Sequence, residues 1–352
     1  MADIVHSTRA YEAWLDAELK GELVASDLAR KRAKMRDNAF AFLRASYWRW
    51  AETVLEICPE LAAAPTLLAV GDIHLENFGT WRDADGRLVW GVNDFDEAAE
   101  MPYALDLVRL AASALIADGR AAAEDTCRAI LQGYRQGLAN PLPIILERDR
   151  AWLRELVVVP EAQRAKFWKK LDAAPPELAP ARYREVLTAA MPEPAVAMRT
   201  QRRVAGMGSL GRPRWVGRAD WRGGPVVREA KALLVSSWYR VHAPAKDTIS
   251  CAAAASGRHR APDPWYRVRD RIIVRRLSPN NRKIEADDAA VAEASGAVLE
   301  VMGIELANVH LGSGDADAIA ADLALRKSGW LASLAKRMGA AIRGEYQQFR
   351  QH

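Results

Sequence analysis

Residues 71–78 read Gly-Asp-Ile-His-Leu-Glu-Asn-Phe, and residues 93–98 read Asn-Asp-Phe-Asp-Glu-Ala. Between them, Asp83-Ala84-Asp85-Gly86 is a turn signal and 87–92 (RLVWGV) reads as a strand. Just upstream, 66–71 (TLLAVG) is a short apolar run ending on glycine, which reads as a buried strand feeding a loop. The order is therefore strand, polar loop, short hairpin and acidic turn. A hairpin carries the two acidic ends to the same edge of a sheet. Carboxylates and an amide so placed suit Mg²⁺, which takes hard oxygen ligands and commonly uses one or two carboxylates beside substrate phosphates. Any one Asp or Asn here could equally be an ordinary turn residue. It is their combination on one short stretch that points to a site.

A second signal lies far along the chain. Residues 204–211, Val-Ala-Gly-Met-Gly-Ser-Leu-Gly, form a G-x-G-x-x-G pattern with Gly206, Gly208, Ser209 and Gly211. A dinucleotide-binding fold needs a helix to open at such a loop. The residues that follow, Arg212-Pro213-Arg214-Trp215-Val216-Gly217, suit a strand instead. That favours a glycine-rich hairpin of the kind that covers phosphates in kinases. Lys231 follows in the run 226–235 (VVREAKALLV), where a kinase-type site wants a lysine on the third strand. Taken alone, Lys231 reads as a surface lysine on an edge strand. Its glutamate partner is open. Glu229 would share its face on a strand, while Glu285, Glu293 and Glu300 are alternatives.

The spacing of Asp72 and Asn77 matches the D-x-x-x-x-N of kinase catalytic loops. GDIHLENF, then NDFDEA, then LDLVRLAAS resembles the aminoglycoside-phosphotransferase branch of the protein-kinase-like superfamily. It is more similar still to an uncharacterised bacterial family, domain of unknown function family 2252. The resemblance covers most of 31–350 and is most specific at 71–109 and 204–236. It implies that Asp72 is the catalytic base and that His74 orients the loop. By the same resemblance Asn77 and Asp94 hold metal with Asp96 as a possible second carboxylate, and Asp106 braces the loop from a helix. The usual histidine before Gly-Asp is Val70 here. The implied cofactors are ATP and Mg²⁺. The implied activity is transfer of the γ-phosphoryl group to an unknown hydroxyl-bearing acceptor, small molecule or protein.

The expected fold class is α+β: a kinase-like two-lobed fold with a small antiparallel β lobe and a large helical lobe. The glycine loop and lysine follow the acidic loop instead of preceding it, so the fold is expected to be circularly permuted. The end of the helix expected over 297–310, Glu305-Leu306-Ala307-Asn308-Val309-His310, resembles the Leu-Ala-x-x-His helix that normally leads into the catalytic loop. Four parts are expected. They are an N-terminal helical segment (1–65), a catalytic-loop module with helices (66–195), a β-rich nucleotide-binding part (196–287) and C-terminal helices completing the large lobe (288–352). A Pro/Ala-rich break at 173–182, with Pro192 and Pro194 after it, sets the lobe boundary. Leu28 to Trp50 reads as one periodic helical stretch, Pro102 as the first turn of a helix, and 243–264 as an exposed connection.

Composition narrows the function further. The net charge of +5 over 352 residues, with Arg scattered along the chain, does not form the basic patch of a nucleic-acid binder. Cys58, Cys127 and Cys251 are far apart, odd in number and lack a CxxC pair, so neither a disulfide framework nor a zinc site is expected and a cytoplasmic setting is. No signal peptide is expected from residues 1–8, nor any membrane-spanning run. Three rivals to phosphoryl transfer are a nucleotide-binding pseudokinase or adaptor, a nucleotidyl transferase, and a metallophosphoesterase, for which Gly-Asp-x-His would open a metal loop. The acceptor and the oligomeric state are not legible.

Overall fold

The computed structural model describes residues 3–119, 122–193, 197–285 and 295–352. Pro194 and Glu293 lie outside the described residues. The chain is a mixed α+β protein with small antiparallel sheets. It opens with α1 (Ile4–Leu19), α2 (Ala25–Met35), α3 (Ala39–Ala45) and α4 (Tyr47–Ile57). The stretch read as one helix from Leu28 to Trp50 is therefore broken twice. Asn38 caps α3 by accepting from Ala41 N at 2.8 Å, and Asn is a strong N-cap because its side chain satisfies an orphan helix donor.

The acidic module follows. Strand β1 (Thr66–Ala69) leads to the polar loop, then β2 (Phe78–Arg82), β3 (Leu88–Val92) and β4 (Ala99–Pro102). Asp83 closes the β2–β3 turn by accepting from Asp85 N at 3.1 Å and Arg87 N at 2.9 Å. The hairpin register pairs Phe78 with Val92, and Asn93 N donates to Asn77 O at 3.1 Å. That register sets Asn77 against the start of the acidic turn. Strand β4 returns antiparallel to β1. Pro102 thus ends a strand, and the helix begins two residues later as α5 (Ala104–Ala117). Helix α5 is buried from Ala104 to Leu115, as an apolar sequence on all sides demands. Its Asp106 and Arg109 must therefore find partners inside the protein.

Next come α6 (Ala123–Ala139), β5 (Ile144–Ile145), α7 (Ala151–Leu156), α8 (Glu161–Ala173) and α9 (Ala181–Ala189). A five-stranded antiparallel sheet is built from β6 (Arg199–Arg202), β7 (Arg214–Trp221), β8 (Gly224–Ala232), β9 (Arg267–Arg269) and β10 (Ile272–Arg276), in the order β6-β7-β8-β10-β9. Between β8 and β9 run α10 (Ser237–His242) and α11 (Cys251–Ala255). Cys251, Ala254 and Ala255 are buried, so 243–264 is not simply an exposed connection.

Tyr183, Val186 and Leu187 of α9 pack on Trp215, Ala230, Ile272 and Val274, one face of this sheet. Leu171 of α8 packs on Val216 and Val227, the other face. Both helices therefore belong with the sheet, on the far side of the division read at 195/196. The chain closes with α12 (Ser295–His310), α13 (Ala316–Leu325) and α14 (Trp330–Arg350), and α12 crosses α6 at close range. Among the described residues, no helix is long and apolar enough to cross a membrane.

Candidate functional site

Two N–H groups of the 70–71 segment converge on one carboxylate. Asp106 accepts from Val70 N at 2.7 Å and Gly71 N at 3.0 Å, and His310 Nε2 lies 3.1 Å from the same side chain. His310, at the end of α12, fully buried and hydrogen-bonded to Tyr134 at 2.8 Å, stands against Asp106 from a distant part of the sequence.

Asp72 follows directly. Arg109, one turn past Asp106 on α5, grips its Oδ1 with two nitrogens, Nε at 3.1 Å. Burial raises the Asp72 carboxyl above its usual range, and Arg109 only partly offsets this. His74 is buried with its ring edge-on to Phe40, and Nδ1 has no hydrogen-bond partner. Burial, then Arg44 and Arg109, hold its pKa well below the usual histidine range, so the ring is neutral.

Asn77 donates from Nδ2 to Asp94 O at 2.9 Å and Asp72 O at 3.2 Å, which ties the polar loop to the acidic turn. Its Oδ1 is buried without a partner, and so is Oδ1 of Asp96. Burial works to raise Asp94, but Lys231, Arg275 and Lys283 outweigh it and hold the carboxyl well below its usual range. Asp96 goes the other way, raised by burial and by the charge on Asp94. Two carboxylates so close divide in this manner because they do not ionise equally.

Lys231 comes to this turn from the five-stranded sheet. Its Nζ lies 2.5 Å from Asp96 Oδ2 and 3.6 Å from Asp94 Oδ1. It is 1% exposed on β8, a strand flanked by β7 and β10, and so is not a surface lysine on an edge. Glu229 does share its face, as a strand requires, but pairs elsewhere: Arg214 at 2.7 Å, Arg275 at 2.8 Å and also Arg203. Burial opposes ionisation of Glu229, and these three guanidiniums overcome it. Glu300 hydrogen-bonds Gln136 on the surface, and Glu285 is exposed. Among the described residues no glutamate pairs with Lys231. Glu97 instead pairs with Arg212 at 3.1 Å and accepts from Ser237 N at 2.6 Å.

The glycine-rich loop, between β6 and β7, descends onto the polar loop. A Cβ on Gly208 would sit 3.3 Å from Arg44 O, a tight contact, and 3.4 Å from Asp72 Oδ2, an ordinary van der Waals distance, so the loop passes close over Asp72. Gly211 has φ +98° and presses against Leu28 and Leu15 of the N-terminal helices, a conformation that L residues rarely adopt. Lys31 of α2 donates to Gly208 O at 2.8 Å, and Val24 N donates to Gly211 O at 3.0 Å. Ser209 accepts from Arg214 at 2.7 Å. A narrow cleft of about 70 Å³ is lined by Asp72, Asn77, Asp94, Asp96, Gly208 and Arg212 among others. On the other side of the acidic turn a cavity of about 250 Å³ opens between Val92, Phe95, Tyr266, Arg275 and Lys283.

Residues 23–167 match the family described as "Uncharacterized protein conserved in bacteria (DUF2252)". The DUF2252 match takes in Asp72, Asn77, Asp94, Asp96, Asp106 and Arg109, and ends before the glycine-rich loop and Lys231. It is thus narrower than the span of resemblance read from the motifs. No curated protein and no solved structure matches the chain.

Of the residues singled out in the sequence, Asp72, His74, Asn77, Asp94, Asp96, Gly206, Gly208 and Ser209 line one cleft; Lys231 reaches it through Asp96, and Gly211 packs against Leu15 and Leu28 instead. Arg109, Arg212 and Lys31 were not singled out, and His310 only as the end of the helix resembling Leu-Ala-x-x-His. A signal existed for Arg109, one turn after Asp106 in a helix otherwise apolar. For Lys31 and Arg212 no local pattern marks the pairing.

Proposed function

We propose that this protein is an ATP- and Mg²⁺-dependent phosphotransferase with a kinase-like site, acting on a hydroxyl-bearing acceptor. The observation that carries the reading is the meeting of three remote segments. Lys231 from a central strand contacts Asp94 and Asp96, while the glycine-rich loop lies over Asp72. A site that moves a phosphoryl group does so by positioning and charge stabilisation, which calls for this assortment of groups.

The parts then take these roles. Backbone N–H groups of 206–211 cradle the phosphates, and Lys231 holds their oxygens. The cavity beside Phe95 and Tyr266 takes the base. Asp72 accepts the proton of the acceptor hydroxyl as its oxygen bonds to the γ-phosphorus and the bond to the β-phosphate oxygen breaks, releasing ADP. Asn77 Oδ1 and the carboxylates of Asp94 and Asp96 fit a hard divalent cation, since two of these oxygens are buried without partners. Bound there, Mg²⁺ neutralises charge on the phosphates. Among the described residues no group of three or more His, Cys, Asp and Glu is arranged for a metal, which weighs against a two-metal phosphoesterase.

The reading includes a circular permutation of the kinase-like fold. In its favour, the end of α12 lies beside β1: Ser313 Oγ accepts from Leu68 N at 2.8 Å, and His310 meets the carboxylate that holds residues 70–71. The helix that would ordinarily run into the catalytic loop thus adjoins it in space and is joined elsewhere in sequence.

Two observations favour a second reading, a nucleotide-binding adaptor without turnover. The loop tip sits on Asp72, and Lys231 has an aspartate where active kinases have a glutamate. Calorimetry of ATP with and without Mg²⁺, on wild type and Asp94→Ala, tests both. Mg²⁺-dependent binding lost in Asp94→Ala supports a kinase-like site. Asp72→Ala that still binds but no longer turns over supports the enzyme, and binding without turnover in wild type supports the adaptor. Folded wild-type protein that binds no ATP ends both readings.

A further inference from the structure

Arg109 has no role in the reading so far, yet it is a buried charge bonded directly to Asp72. It is 1% exposed. Its Nε and one terminal nitrogen both donate to a single oxygen, Oδ1 of Asp72, and that nitrogen also donates to Leu43 O at 3.0 Å. The guanidinium carbon lies 5.0 Å from the ring centroids of Tyr47 and of Trp50. Two hydrogen bonds to one oxygen, a third to a carbonyl and two flanking rings hold the guanidinium in one orientation.

Helix α5 therefore holds the loop twice on successive turns. Asp106 fixes the backbone at Val70 and Gly71, and Arg109 fixes the side chain that follows. Oδ2 of Asp72 is left toward Gly208 and the cleft.

We propose that Arg109 is a positioning residue: it occupies Oδ1 of Asp72 so that Oδ2 alone is presented to the acceptor hydroxyl. This rests on the phosphotransferase reading and adds to it a residue to which the resemblance assigned no role. A carboxylate free to rotate would offer either oxygen in many orientations, and small misplacements of a reacting group carry large rate costs. Other charged or titratable groups around Asp72 include Arg44 from α3, Lys31 from α2, Tyr47 from α4, His74, and Asp94, Asp96 and Glu97 from the acidic turn. Of these and Arg109, only Arg109 forks onto one oxygen.

The test compares Arg109→Lys and Arg109→Met with wild type. The readouts are Mg²⁺-ATP affinity by calorimetry, ADP release from Mg²⁺-ATP across pH, and the ¹³C-carboxyl titration of Asp72, assigned through Asp72→Asn. Lysine keeps the charge but offers a point donor in place of the fork. With Arg109→Lys we expect ATP affinity within about twofold of wild type, an Asp72 titration close to wild type, and ADP release at least about tenfold slower. With Arg109→Met we expect the titration to move up in pH, because burial is then unopposed by this cation, and a larger loss of turnover.

If Arg109→Lys folds and restores wild-type turnover, the residue supplies charge alone and the proposal fails. It fails equally if both variants keep wild-type turnover, or if Arg109→Lys loses turnover only in proportion to lost ATP binding. Should Arg109→Met not fold, the lysine variant decides. Wild type that binds ATP without releasing ADP removes the phosphotransferase reading itself and this role with it, an outcome distinguished because it precedes any variant.

Discussion

Replacing Lys31 by methionine asks how the N-terminal helices bear on the glycine-rich loop. Lys31 is 3% exposed, its ammonium 4.8 Å from the ring centroid of Trp48 and 5.2 Å from that of Tyr11. Burial, reinforced by the charge of Arg212 and opposed by Glu97 and Asp72, lowers its pKa to about 7 from an ordinary 10.5. Below pH 7 the lysine is protonated both folded and unfolded, and above 10.5 it is neutral in both. Between these limits the unfolded chain holds a proton that the folded protein does not, so stability from this group rises with pH.

Each pH unit in that window is worth about 1.4 kcal/mol. From pH 7, where the folded group is half titrated, to pH 9, wild type should gain about 2.3 kcal/mol over Lys31→Met. Methionine keeps the unbranched stem between the rings and removes the charge. Titrations common to both proteins cancel in the difference. Urea unfolding followed by tryptophan fluorescence at several pH values measures it. Stability curves for the two proteins that stay parallel from pH 6 to pH 10 would refute the reasoning: the ammonium would then not be buried against Gly208 in solution. If it is, cutting this anchor also frees the loop tip, and Mg²⁺-ATP should associate faster with Lys31→Met than with wild type.

Two further outcomes follow from packing and hydrogen bonding. Asp106→Asn keeps the shape of the side chain but turns one acceptor into a donor facing Val70 N or Gly71 N. Leaving a buried donor unmatched should cost about 3 kcal/mol, seen as a lower urea midpoint with unchanged slope. Gly303→Ala should cost about 1–3 kcal/mol, because the new methyl group meets the backbone of α6 at Ile130 and Tyr134 where α6 and α12 cross. A thermal melt at the wild-type temperature would show that the two helices separate without strain.

What could be read directly from the sequence is what short-range geometry controls. An alternating strand, an Asp-Gly turn and the strand before it give the β2–β3 hairpin, and its register sets Asn77 beside the acidic turn. Glycine spacing followed by a strand-like run gives the loop between β6 and β7, and strand periodicity puts Glu229 and Lys231 on one face. Helix boundaries were less legible. Pro102 has the φ of a first helical turn and also of a strand end, and the pairing of β4 with β1 decided for the strand.

The partners of the buried charges belong to the tertiary structure alone. Among the described residues Lys231 meets Asp94 and Asp96 and no glutamate, and Glu229 takes three arginines. Arg212 reaches Glu97, Lys31 reaches Gly208, and His310 faces Asp106. Each pair joins segments that no local pattern relates, in a chain where arginines and acids are plentiful enough to allow many pairings. Which one forms depends on which faces the core brings together, since a buried charge must find its counterion among the groups packed around it.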